Sequence, residues 1–151
     1  MKLNKNMRFL FLVVFAISLS FNCTLFTSEE HKVFNVIRKG EKALEKENLS
    51  AIQQIVSKDY QDDWGHDYDG LIQWFSVYCK QYKNIKINFS KNEITVNQNL
   101  AICKISVYIS GYDYYNDELI VDQTELLIYL EKINGIWLII SANKISLQSE
   151  L

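Results

Sequence analysis

His66 is the residue best placed by type and surroundings to do chemistry. It lies in Asp59-Tyr60-Gln61-Asp62-Asp63-Trp64-Gly65-His66-Asp67-Tyr68-Asp69, where carboxylates flank an imidazole on both sides. A carboxylate beside histidine makes the ring more basic and orients it for proton transfer. His66 with Asp63 is therefore the candidate acid–base pair. The plainer reading is a solvated turn whose aspartates cap the next helix. We take that reading as the leading one, with no catalytic residue assigned. The aspartates do not follow the D-x-[DN]-x-[DN]-G…E order of a calcium loop, so no metal site is expected. His31 reads as a solvated surface residue.

The three cysteines include no CxxC pair, which excludes a zinc knuckle. Cys79 and Cys103 fall among apolar residues and read as small buried hydrophobes; a bridge between them is the alternative in an oxidising compartment. No cofactor is expected.

Cys23 has a different setting. Lys2, Lys5 and Arg8 precede an apolar run from Phe9 to Phe21, 13 residues long. A membrane span needs about 20, so the run reads as an export signal. The stretch from Leu19 to Cys23 resembles the lipobox of bacterial lipoproteins, with Phe21 and Asn22 where small residues are usual. The resemblance implies acylation of Cys23 and anchoring to a bilayer in the cell envelope. Cleavage near Ser18-Leu19-Ser20, giving a secreted or periplasmic protein, is the alternative. Residues 1–22 are read as signal peptide, 23–29 as a short tether and 30–151 as one domain.

The composition fits that division. A 151-residue chain with 48% hydrophobic residues and no proline is neither disordered nor repetitive. Loss of the three N-terminal cations takes the formal charge from −2 to −5. An acidic domain whose one arginine is Arg38 has no footprint for nucleic acid.

Three helices must carry the first half. Val33, Val36, Ile37, Gly40 and Leu44 recur at helical spacing from Thr27 or Ser28 to about Glu47. A shorter helix is expected over Ser50–Lys58. A third, capped by Asp67 or Asp69, is expected to run to about Tyr82, with Leu71, Trp74, Phe75, Tyr78 and Tyr82 on one side. From Asn84 the period becomes two: Ile85, Ile87 and Phe89, a kink near Lys91-Asn92, then Ile94 and Val96. Asn97-Gln98-Asn99 is a turn before a strand whose Ala101, Cys103, Ile105, Val107 and Ile109 share a face. An acidic, tyrosine-rich loop is expected from Gly111 to Glu118, exposing some of Tyr112, Tyr114 and Tyr115. Strands over 119–132 and 136–146 close on Asn134-Gly135, a strong hairpin signal. Helices followed by strands argue α+β: three helices packed on a curved, mainly antiparallel sheet.

This order, with particular local sequences, resembles the nuclear transport factor 2-like (SnoaL-like, cystatin-type cone) superfamily over about residues 30–146. The sequences are Ala43-Leu44, Ser57-Lys58-Asp59-Tyr60, the Gly65…Asp69 turn, Tyr82-Lys83-Asn84-Ile85-Lys86-Ile87 and Leu130-Glu131-Lys132-Ile133-Asn134-Gly135-Ile136-Trp137. The resemblance implies a cone-shaped pocket between sheet and helices, used in that superfamily by isomerases, dehydratases, cyclases and binding modules. Tyr60, Trp64, Trp74, Tyr78, Tyr108 and Trp137 are the candidate pocket aromatics. The leading expectation is a non-catalytic domain binding a small apolar ligand or a protein partner. The alternative is a lyase or isomerase using His66 and a loop aspartate. A homodimer through the outer face of the sheet is a further expectation.

Overall fold

The computed structural model describes residues 28–145, with the side chains of residues 91 and 92 excepted. The expectations placed on the N-terminal signal and on Cys23 lie outside the described residues. Helix α1 spans Glu29–Glu45, α2 Leu49–Ile55 and α3 Tyr68–Gln81; strands β1 Tyr82–Asn97, β2 Leu100–Asp113, β3 Leu119–Ile133 and β4 Ile136–Lys144 follow. The strands form one antiparallel meander in the order β1-β2-β3-β4. No helix among the described residues is long and apolar enough to cross a membrane.

Side-chain caps start each helix, satisfying amides that have no carbonyl a turn earlier. Ser28 Oγ accepts from the His31 N–H, Asn48 Oδ1 from Ala51 and Asp67 Oδ1 from Gly70. Helix α1 buries Val33, Val36, Ile37, Gly40 and Ala43. A Cβ on Gly40 would lie 3.3 Å from Ile55 Cδ1, so this glycine lets α1 and α2 approach closely. Helix α2 ends three residues before the expected Lys58. Val56 turns extended and bridges Ile139 of β4, and the Ser57 and Gln61 N–H groups donate to the Ile139 and Ile140 carbonyls. The unused edge of β4 thus captures residues 56–61 that local periodicity assigns in part to a helix.

The start of α1 is tied to the far hairpin. Glu29 Oε2 accepts from Lys132 Nζ at 2.9 Å and from the Trp137 indole at 2.7 Å, while its other oxygen pairs with Lys32. Lys32 first, then Lys132 and the indole, hold the Glu29 carboxyl down to about 2. On the far side of α1, Glu45 Oε1 accepts from the Ile87 N–H and Glu41 Oε1 from Phe89, two β1 amides pointing away from β2. Glu41 is buried, and its second oxygen pairs with Arg38.

Asn134 and Gly135 both adopt positive φ, the condition for a two-residue hairpin that follows the strand twist. The chain bulges near Asn84, again at positive φ, and near Asn92. Strand β2 runs past the expected loop start at Gly111 to Asp113, whose Oδ1 accepts from the Tyr115 and Asn116 amides. Tyr114 and Tyr115 are exposed in that turn, and Asp117 pairs with Lys83 at 2.5 Å. Cys79 and Cys103 are not joined in a disulfide; Cys103 is fully buried, and burial pushes the Cys79 thiol up.

Candidate functional site

The three helices and the concave side of the sheet enclose a cavity of about 430 Å³, within the range of small-molecule pockets. Its depth is hydrocarbon: Ile37, Leu44 and Ile55 from the helices face Ile87, Val107 and Ile128 from the strands. Its rim is formed by the lining residues that remain exposed, Trp64, Trp74, Asp122 and Lys144, with half-buried His66. Trp74 stacks on Tyr78 with ring centroids 5.2 Å apart, and Tyr78 meets Tyr82 at 4.7 Å. Burial, then Tyr82 and Asp122, raise the Tyr78 hydroxyl above its usual range.

The loop between α2 and α3 is built around Asp62, whose side chain is 1% exposed. Its Oδ1 accepts from the Trp64 and His66 backbone N–H groups at 3.0 and 2.8 Å. Its Oδ2 accepts from the Tyr60 hydroxyl at 3.1 Å and lies 3.0 Å from His66 Nδ1. Burial pushes this carboxyl up, but the His66 amide and ring with the Tyr60 hydroxyl outweigh it and hold Asp62 below the usual carboxylate range. Burial and the Asp62 charge raise the Tyr60 hydroxyl in turn. An ionised Asp62 only accepts, so His66 Nδ1 carries a hydrogen toward it and the neutral ring keeps its lone pair on Nε2.

Of the aromatics expected in the pocket, Tyr60, Trp64, Trp74 and Tyr78 line it, and His66 joins them. Tyr108 does not. Its neighbours Val107 and Ile109 point inward, so period two sends Tyr108 to the outer face, where it is exposed. Trp137 is buried instead at the hairpin end, held by Glu29. The carboxylate paired with His66 is Asp62 and not Asp63, which is exposed and whose N–H donates to Asn143 Oδ1. Among the described residues, no three histidine, cysteine or acidic side chains converge as metal ligands.

The residues unforeseen from sequence are Asp122 and Thr124 on β3 and Lys144 on β4. Stepping in twos back from buried Leu130 along β3 reaches Ile128, Leu126, Thr124 and Asp122. That count was the available signal for the first two. Lys144 was hidden by a register shift between Tyr129 and Leu130, which moves the inward residues of β4 from Trp137 and Ile139 to Ala142 and Lys144.

No protein-family model matches the chain, and no curated protein matches it significantly. Solved structures do. A nuclear transport factor 2-like superfamily protein of Salmonella enterica serovar Typhimurium superposes with TM-score 0.69 at 11% identity, over 81% of this chain and 96% of that one. A cystatin-like-fold protein of Nostoc punctiforme gives 0.61 at 18%, over 75% and 86%. A putative scytalone dehydratase of Novosphingobium aromaticivorans gives 0.71 at 11%, over 77% and 82%. At these identities the likeness is one of fold: the α+β cone of nuclear transport factor 2-like and cystatin-like proteins.

Asp62→Asn cannot accept all four hydrogen bonds and should lower unfolding stability by about 2–3 kcal/mol near neutral pH. Because the native carboxyl titrates below its unfolded value of 3.8, wild-type stability from this group is complete above about pH 4 and is lost as pH falls through the folded value. Urea unfolding followed by tryptophan fluorescence should show the variant's deficit shrinking as the solution is acidified. A deficit independent of pH would refute the ionised hub.

Proposed function

We propose that this domain takes up a small, mainly apolar molecule in its cone cavity. The supporting observation is the cavity itself, whose floor of aliphatic side chains gives water few partners and whose rim of Trp64 and Trp74 offers flat apolar contact. Ala142 lines that cavity from β4. Filling it by Ala142→Phe should weaken binding of the hydrocarbon probe indane at least about tenfold in calorimetry, a loss of about 1.4 kcal/mol. Undiminished binding by the variant would place the probe elsewhere.

The Asp62–His66 pair favours a second reading: a lyase or isomerase in which His66 Nε2 removes a proton from a bound substrate. A structural neighbour named as a putative scytalone dehydratase makes such chemistry compatible with the cone. On this reading the protein accelerates exchange of the protons next to the carbonyl of 1-indanone for solvent deuterium. His66→Gln should lower that rate about a hundredfold. Exchange no faster than in buffer would leave uptake alone.

We also propose that acylated Cys23 holds the domain on a membrane of the bacterial envelope. Glu29, bound to Lys132 and Trp137, puts the start of the described chain at the β3–β4 hairpin. Asp122 on the cavity rim lies ten residues along β3 from Lys132, about 33 Å. The five residues from Cys23 to Ser28 reach at most about 18 Å. Anchoring would therefore turn the cavity mouth away from the bilayer. Intact-mass measurement of the native protein should find residues 1–22 absent and acyl chains present; an unmodified mature terminus would remove the anchor.

A further inference from the structure

Thr124 is anomalous within the cavity. It lies on the inward face of β3 between Asp122 and Leu126, with Val107 as its cross-strand partner. Its Oγ1 is buried and has no hydrogen-bond partner among the described residues. A hydroxyl left so destabilises the fold relative to a satisfied one. Valine has the same branched shape and strand preference and would fill the position without that cost. The hydroxyl has almost no surface open to the cavity in this rotamer, and a turn about χ1 that exchanges it with the methyl would offer it to a guest able to supply its partner. Threonine both donates and accepts, so a carbonyl or a hydroxyl oxygen would serve.

We infer that Thr124 Oγ1 is the internal polar contact for the cavity's guest, and that the guest is a compact hydrocarbon skeleton bearing a ketone, alcohol or phenol oxygen. This rests on the apolar-cavity reading and specifies its chemical class. The aliphatic walls hold the skeleton without direction, and one hydrogen bond fixes which way round it sits. A guest lacking the oxygen still enters but leaves Thr124 unanswered, whereas one carrying oxygen at the wrong end buries a second polar group without a partner.

The test compares indane with 1-indanone, its ketone, on wild-type protein and on Thr124→Val and Thr124→Ser, by calorimetry. Thr124→Val should weaken 1-indanone about tenfold, as loss of one internal hydrogen bond does, and leave indane within about twofold. Thr124→Ser, which keeps the hydroxyl, should restore most of the ketone affinity. Thermal unfolding of unliganded Thr124→Val should not fall below wild type, since the variant loses an unsatisfied group and no contact. Equal losses for both probes, or no loss for the ketone, would overturn the inference while leaving the cavity reading intact. If neither probe binds wild type, the cavity reading falls and this inference with it.

Discussion

A carboxylate removed from water has to be answered by hydrogen bonds, and Asp62 is answered from four sides. The demand shapes the region around it. Meeting it folds residues 60–66 into a tight loop, sets Trp64 at the cavity rim and presents His66 edge-on to the carboxylate. Removal of the charge would leave two backbone amides and a tyrosine hydroxyl competing for a weaker acceptor. The same interaction therefore closes one wall of the cavity and decides which imidazole nitrogen is available to a guest. Structure and prospective chemistry are not separable at this residue.

The cone divides its polar groups by location. The apolar side chains that build the domain's core also floor the cavity, so the interior is continuous with the packing that stabilises the fold. Asp122 and Lys144 stand at the rim in contact with water, while the buried Asp62 is held by its own hydrogen bonds. Between floor and rim lies the neutral hydroxyl of Thr124.

Much of this architecture was legible in the residues. The switch from a 3.6-residue to a two-residue period near Asn84 marks the change from helices to sheet, and Asn134-Gly135 marks the last hairpin. Ser28 and Asp67 act as the caps their types suggest. What could not be read has physical causes. Asp62 and Asp63 are adjacent, equally acidic and in a loop without periodicity, so only tertiary contacts choose between them. Both faces of β3 mix apolar and polar residues, which blurs the alternation that would have assigned Asp122 and Thr124. The register shift in β4 reverses the parity of everything after Ile139. Trp137 has the composition of a pocket residue, yet an acid 108 positions away claims its indole.

The helical layer does more than roof the cavity. Glu41 and Glu45 occupy amides on one outer strand, and residues 56–61 occupy carbonyls on the other. A meander ordinarily ends in two rows of open hydrogen-bonding groups, each a template on which another chain can polymerise. In this protein both templates are interrupted from within. End-to-end stacking of sheets is therefore opposed at Ile87 and Phe89 on β1 and at Ile139 and Ile140 on β4. The outer face of the sheet, by contrast, presents Ile102, Tyr108 and Tyr112 to solvent.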